Sequence, residues 1–459
     1  MAKKSERSNS VFDLNGRPSL DRAAPLGIQH VLAMLVGNIT PAIILAGAVS
    51  LSTGDSTLLV QSAMLIAGIA TLLQLYPIGG SNSSFRIGAG LPIIMGVSFA
   101  YVPTVLSIAG NYGIAGVLGA QLIGGIVAII VGIFIKPLRK FFPPMVSGTV
   151  VFTIGLSLYP IAINYMAGGN GAATYGESKN WIVAIVTLVV VLFCNNFTKG
   201  ITKLASVLMG IIVGYILAIF LNMVDFAAVA EAGIVSIPKP LHFGIKFHPT
   251  AIITMIIMYV VNSIQAVGDI SATTAGGMDR EATDSELSGG IVGNGFASII
   301  GALFGGLPTA TFSQNVGIVA MNKVISKFVL GLAGGVILIG AFIPKIGALM
   351  TTIPQSVLGG ATISVFAMIT MTGMKLITQD EMSTRNISIV GLAVALGMGI
   401  TNVPESIAQF PQWFTDIFAS SPVIIAAIIV FFLNIIVPKR TIEDEKKERE
   451  AIAAKERTA

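Results

Sequence analysis

"TATFSQNVGIVAMNK" occupies residues 309–323 and sits between two apolar runs. Thr309, Thr311, Ser313, Gln314 and Asn315 crowd into its first seven positions. The β-branched run after Pro308 predicts extended backbone, which then gives way to the helix-like "NVGIVAMNKVISKFV". Extended backbone carries unpaired N–H and C=O groups. In lipid these are tolerated only where protein covers them or where they line a cavity. The two amides then have two readings. They glue one helix to another across a membrane, or they face a ligand at a break in a span.

The chain around this stretch is a membrane chain. Its 459 residues are 54% hydrophobic and 11% charged, with a mean hydropathy of +0.86, whereas soluble domains carry about 25% charged residues. Apolar runs of spanning length, about 17–25 residues, recur about fourteen times, near 26–48, 57–76, 91–108, 113–135, 145–165, 181–197, 203–223, 250–275, 288–306, 315–327, 328–344, 347–372, 386–402 and 422–437. The predicted organisation is a tail over 1–25, a first set of seven spans over 26–225, a connecting loop over 226–249, a second set over 250–437 and a charged tail over 438–459. The first 24 residues hold no apolar core, so no cleavable signal peptide is predicted. A single Cys194 excludes an internal disulfide framework.

The net charge of +5 is informative by position. Lys3, Lys4, Arg7, Arg17 and Arg22 precede the first span, "KPLRK" (136–140) follows the fourth, Lys199 and Lys203 follow the sixth, and "KKERE" closes the chain. With an even number of spans these clusters share one side, and the positive-inside rule puts both termini in the cytoplasm of a bacterial cell whose plasma membrane holds the protein. The same charges lack interleaved aromatics, which argues against nucleic acid as a partner.

The chain repeats itself. Gly90-Leu91-Pro92 in "GAGLPIIMGVSFAY" recurs 216 residues later as Gly306-Leu307-Pro308 in "FGGLPTATFSQN". Pro144 before "MVSGTVVFTIG" recurs 210 residues later as Pro354 before "QSVLGGATISVF". Seven spans is an odd number, so a second set of seven enters the membrane from the other face, the inverted-repeat construction of secondary transporters. Paired Gly/Pro-interrupted segments in such a chain point to the binding site. The segment from Gly90 to Tyr101 is therefore expected to be extended in part, like 309–313, with each short strand ending at a helix N-terminus that favours electron-rich ligand atoms.

Ionisable and amide residues cluster elsewhere too. In "YVVNSIQAVGDISATT", Gln265 and Asp269 are four apart and share a helical face. Asp269 is the only acid between Val260 and Met278, and an acid inside a span is a functional candidate by default; its other reading is a structural partner to a neighbouring helix. His30, one of three histidines, is a hydrogen-bond partner, a proton site or a packing residue. Gln314 and Asn315 each offer one acceptor and two donor protons, which suits a flat ligand with alternating carbonyl and ring N–H groups. No HExxH, Gly-x-Ser-x-Gly or Cys/His cluster is present, so neither an enzyme nor a metal site is predicted, and no cofactor. A channel has no need of paired broken spans holding a ligand.

These residues resemble a known family, the nucleobase–ascorbate transporters, also called nucleobase–cation symporter-2. "SQNVGIVAMNKV" resembles its signature: Gln314, Asn315 and Gly317 match, Asn322 stands where Thr is usual, and Lys323 is basic as the signature allows. "IQHVLAM" is similar to its first-span motif at Gln29 and His30, and "SIQAVGDISATT" to its eighth-span motif, where Glu is usual at Gln265 and Asp269 matches an acid. "IPQSVLGGA" is similar to its twelfth span. The likeness runs over about 26–437 and is nearest to bacterial xanthine and uric acid permeases. It implies an all-α polytopic membrane protein of fourteen transmembrane segments in a 7+7 inverted repeat. Short strands would interrupt spans three and ten, a core domain would be made of spans one to four and eight to eleven, a gate domain of the rest, and the assembly would be a homodimer.

The resemblance implies a secondary transporter importing xanthine or uric acid by proton symport, with sodium as the alternative coupling ion. Alternatives are uracil or another nucleobase and, on a related fold, an inorganic anion. It places the base against Gln265, Gln314 and the backbone near Phe99 and Ala100, with Phe99 stacking, Ser98 tuning xanthine against uric acid, and Asn315 and Thr311 alongside. Asp269, His30 and Asn294 are the coupling or gating candidates. Gln265 and Asn294 are amides where relatives carry acids. An amide does not titrate near neutral pH, so coupling would rest on Asp269 or His30.

Overall fold

A computed structural model describes residues 8–79, 86–138 and 141–458. Lys3, Lys4, Arg7, Arg139 and Lys140 of the basic clusters above lie outside the described residues. The chain is helical almost throughout. It opens with α1 (Leu20–Ala48), α2 (Thr53–Leu75) and strand β1 (Met95–Val97), followed by a one-turn helix at Phe99–Tyr101 and α3 (Val102–Ile133). Then come the short α4 (Ile135–Leu138), α5 (Pro144–Met166), α6 (Ser178–Phe197), the short α7 (Ile201–Leu204) and α8 (Ser206–Phe220). The connecting segment holds only α9 (Ala227–Glu231).

The second part begins with α10 (Pro249–Met278), α11 (Asp284–Phe304), strand β2 (Thr309–Thr311) and α12 (Ser313–Asn322). It continues with α13 (Lys327–Ala341), α14 (Pro344–Thr351), α15 (Gln355–Ile377), α16 (Thr384–Asn402), α17 (Gln412–Phe418), α18 (Pro422–Ile436) and the charged α19 (Ile442–Thr458).

Local chemistry explains the boundaries. Prolines open α3, α10, α14 and α18, where the missing N–H is one that no helical turn would use. Thr283 and Glu286 form a capping box at α11. The same Glu286 takes a two-pronged bond from Arg280 at 2.6 and 2.8 Å, and that bond holds the Arg280 guanidinium above its ordinary pKa. Gly305 ends α11 in the left-handed conformation (φ 76°).

Among the described residues nine helices are long and apolar enough to cross a membrane. The number rises to eleven if each of two bent pairs is one span: α13 with α14, bent by 84°, and α17 with α18, bent by 90°. The difference from fourteen has local causes. The expected spans 91–108 and 113–135 run together as α3, broken only at Gly113 (φ 69°, ψ 177°). The expected span 315–327 is the 10-residue α12, stopped by Lys323 at φ 56°. The expected span 347–372 is interrupted at Pro354, with α14 ending before it and α15 starting after it. α8 has 15 residues.

The chain forms two compact units, one of Met1–Lys136 with Leu158–Val365 and one of Pro137–Ser157 with Phe366–Ala459. In the first, α3 packs on α10 and α11, while α13 packs on α1 and α2. Missing side chains set the approach of α3 to α11. A Cβ at Gly125 would lie 2.9 Å from the Gly295 carbonyl oxygen, and one at Gly295 would lie 2.6 Å from that of Gly125. Backbones this close are the packing that small residues permit in membrane bundles.

In the second unit α5 crosses α15 the same way. A Cβ at Gly155 would stand 2.5 Å from the Thr370 nitrogen, and one at Gly373 2.2 Å from the Phe152 nitrogen. Asp380 caps α5 by accepting from the Met145 N–H at 2.7 Å. Arg385 donates to the Asn434 and Val437 carbonyls at the end of α18, at 2.8 and 2.9 Å. The tail helix is tied down by an exchange of caps: Glu445 of α19 accepts from the Thr384 N–H at the start of α16 (2.7 Å), and Glu381 accepts from the Ile442 N–H at the start of α19 (3.2 Å).

The crossing of α3 and α11 makes a prediction. Gly295→Ala drives a methyl into backbone and is expected to cost about 1–3 kcal/mol. Gly391→Ala, in α16 with nothing within 4 Å of the added carbon, is expected to be neutral or slightly stabilising. Thermal unfolding of the detergent-solubilised protein checks both.

Candidate functional site

The two strands found at the two interruptions pair with each other. β1 and β2 run antiparallel with Met95 opposite Thr311, Gly96 opposite Ala310 and Val97 opposite Thr309. Ser98 N–H donates to the Pro308 carbonyl at 3.1 Å and Phe312 N–H to the Ile94 carbonyl at 3.0 Å, so pairing continues one residue beyond each end. All six strand residues are buried. The Phe312 ring lies over Gly96 and Gly37: a Cβ at Gly96 would meet it at 2.5 Å and one at Gly37 at 2.9 Å. A glycine in the middle of β1 is therefore what lets the aromatic residue that closes β2 fold back over the pair.

Each strand runs straight into a helix. After β1, Ser98 Oγ accepts from the Ala100 N–H at 3.2 Å and turns the chain into the helical turn at Phe99 and Ala100, both buried. A crevice lined by Pro41, Ser98, Tyr101, Leu307 and Pro308 runs beside this corner. After β2, Ser313 opens α12 and Gln314 and Asn315 follow in its first turn. Thr311 and Ser313 both reach Asp269 of α10. The Thr311 hydroxyl donates to one carboxylate oxygen and the Ser313 hydroxyl to the other, the latter at 2.9 Å. Gln265, one turn earlier on α10, keeps a buried Oε1 with no hydrogen-bond partner among the described residues. The half-buried Gln314 side chain makes no hydrogen bond among the described residues. The structure thus brings Asp269, Gln265, Thr311 and Ser313 to one place, where α10 meets the end of β2, and Gln314 follows Ser313 in the first turn of α12.

Asn315 and His30 form a separate pair. The Asn315 amide nitrogen donates to the His30 carbonyl at 3.1 Å and lies 3.0 Å from His30 Nδ1. A carbonyl oxygen accepts only, so the amide nitrogen faces it, and the same nitrogen donates to Nδ1. That fixes the neutral tautomer with its proton on Nε2. Asn294 stands apart from both groups: its Oδ1 accepts from the Thr309 hydroxyl at 2.7 Å, while Ser298 Oγ lies 3.3 Å from that hydroxyl. It holds β2 in place.

Three further residues bond to this region, Ser313 to Asp269 and Asn38 and Thr71 to β1. Ser313 is marked in the sequence as one of the polar residues of 309–315. Asn38 and Thr71 carry no such mark, since single polar residues in apolar helices look alike until their partners are known.

Asn315→Leu removes both bonds and leaves the buried His30 ring nitrogen unpaired, while the His30 carbonyl keeps its place in the helical ladder of α1. A loss of about 1–3 kcal/mol is expected, read as a lower melting temperature of the purified protein.

Residues 22–406 match the Xan_ur_permease family model, described as Permease family. The chain is 35% identical to the xanthine permease of Bacillus subtilis, over 96% of this chain and 100% of that one. It is 34% identical to the uric acid permease PucK of the same organism, over 89% and 94%, and 31% identical to the xanthine permease XanQ of Escherichia coli K12, over 94% of each. In fold it is similar to the transmembrane domain of a cyanobacterium bicarbonate transporter, BicA, with a TM-score of 0.54 at 14% identity over 90% of this chain and 98% of that one. It is also similar to murine Slc26a9, an anion transporter, with a TM-score of 0.58 at 10% identity over 90% and 68%.

Proposed function

This chain belongs to the permease family, and from that membership we propose that it carries a purine nucleobase, xanthine or uric acid, across a bacterial plasma membrane. The observation that carries the reading is the likeness, over nearly the whole of both chains, to proteins named xanthine permease and uric acid permease. The site suits such a cargo. Among the described residues, Gln265 Oε1, on the helix that carries Asp269, and the amide of Gln314, next in sequence to Ser313, are uncommitted hydrogen-bonding groups. A planar base with alternating carbonyl and N–H groups can bond to both amides, with Phe99 and Ala100 on the opposite strand–helix corner and Ser98 at its edge.

Alternating access follows from a 7+7 inverted repeat of fourteen segments with both termini cytoplasmic. The exchange of partners in the first unit supports the repeat. The helix after β1 packs on the first two helices of the second half, and the helix that follows α12 packs on the first two of the first half. Counting α3 as two segments broken at Gly113, β2 with α12 as one, and the 15-residue α8 as another brings eleven to fourteen. Core and gate domains and a homodimer belong to the same proposal.

Coupling, in this reading, is proton symport through Asp269. Its two oxygens are held by hydroxyls, which accept as readily as they donate. If a proton arrives on the carboxyl, the Thr311 or Ser313 hydroxyl turns round and the bond survives. A backbone N–H in the same place could not do that. His30 is less suited, because a proton on Nδ1 breaks its bond with Asn315.

The test is uptake of radiolabelled xanthine by cells lacking their own purine permeases, with uric acid, uracil, guanine and hypoxanthine as competitors. Xanthine and uric acid are expected to compete and uracil is not. Gln265→Ala and Gln314→Ala are each expected to reduce uptake at least about tenfold at unchanged membrane level, the loss that a hydrogen bond in a desolvated site carries. Asp269→Asn is expected to abolish the response to a proton gradient. Competition by uracil alone, or sulfate uptake indifferent to Gln314→Ala, would overturn the purine reading. Equal uptake with and without the gradient in wild type and Asp269→Asn would overturn the coupling.

A further inference from the structure

A two-stranded ribbon leaves one edge of each strand unpaired. The edge of β1 that faces away from β2 is closed by two side chains of neighbouring helices. Met95 N–H donates to Thr71 Oγ1 at 3.0 Å, and the same Thr71 hydroxyl donates to the Met95 carbonyl at 3.2 Å. Val97 N–H donates to Asn38 Oδ1 at 2.8 Å, while Asn38 Nδ2 donates to the Ala63 carbonyl of α2 at 3.1 Å. Thr71 and Asn38 are fully buried. Between them they satisfy three backbone groups of a three-residue strand, standing where a third strand would. Among the described residues the outer edge of β2 has no equivalent: the side chain that reaches it is Asn262, whose amide is 3.4 Å from the Thr309 carbonyl.

Three paired residues do not fix a register by themselves. A slip of one residue turns every side chain to the other face, and within the ribbon the fit of Gly96 beneath the Phe312 ring is the feature that opposes it. Thr71 and Asn38 each recognise one residue of β1 and so oppose the slip. The residues at stake are those that follow β1 directly, Ser98, Phe99 and Ala100. We propose that Thr71 and Asn38 are positioning residues for the substrate site: they lock the register of β1 from its outer edge and so set the place of the Ser98–Ala100 corner. This rests on the purine-site reading for its consequence in transport, but not for its consequence in the strand.

The experiment has two arms, hydrogen–deuterium exchange of the 93–101 segment in the purified full chain, and xanthine uptake resolved into half-saturating concentration and maximal rate per protein in the membrane. Thr71→Val removes the hydroxyl at nearly constant shape, and Thr71→Ser restores it. Asn38→Leu is the second variant, for use if Thr71→Val does not reach the membrane. Thr71→Val is expected to speed exchange in 93–101 about tenfold or more, with α13 unaffected, and to raise the half-saturating concentration about tenfold while the maximal rate holds. Thr71→Ser is expected within about twofold of wild type on both. Wild-type exchange and affinity in Thr71→Val overturn the proposal. Thr71→Ser as impaired as Thr71→Val also overturns it, since packing and not the hydroxyl would then be responsible. If the wild type moves no purine, the transport reading fails, and the exchange arm still decides whether the hydroxyl locks the strand.

Discussion

Backbone polarity in an apolar solvent is the constraint on which the rest of this structure depends. A helix satisfies its own N–H and C=O groups; a strand does not, and lipid offers no replacement. This chain interrupts two spans with three-residue strands, so every group those strands expose has to be met by protein or to face a cavity. Each strand meets half of the other's need. The remainder on the β1 side is met by Thr71 and Asn38, and at the corner beyond it Ser98 meets the Ala100 N–H. Asn294 and Asp269 are engaged with the hydroxyls of β2 residues in turn. Much of the buried polarity of the first unit exists because two short pieces of backbone do not satisfy themselves.

Glycine is the other half of the same arrangement. Side chains can reach a strand pair inside a helix bundle only if the helices stand close, and at Gly125, Gly295 and Gly124 they stand closer than any Cβ would allow. Gly37 and Gly96 make the room that Phe312 fills. In lipid, helices gain little from apolar burial against one another, so contact area at short range and hydrogen bonds carry the association. The polar network and the glycine seams are therefore one device, since neither holds without the other.

What the sequence disclosed, and what it withheld, divides along the range of the interactions. The Thr309–Thr311 strand was legible because a β-branched run after Pro308 has a local preference. Gln265 and Asp269 were legible as neighbours because helical spacing is local too. The meeting of β1 with β2 was legible only through the repeated Gly-Leu-Pro. His30 and Asn315 were picked out separately, but their contact joins residues 285 positions apart and has no local signature. Asn38 and Thr71 had no signal at all, since their partners are defined by strand register, a tertiary property. Span boundaries failed at single backbone positions: a left-handed Lys323 and a break at Gly113 that leaves no mark in a Gly-rich helix.

The exchange of carboxylates between the starts of α16 and α19 couples two helices of very different character. One is apolar enough to cross a membrane and the other carries alternating charge. Because each supplies the other's cap, freeing one end unseats both. The tail helix behaves as an outboard pointer fixed to the first turn of α16, and a fluorophore attached to its solvent face would register any tilt of that turn without a label placed inside the bilayer.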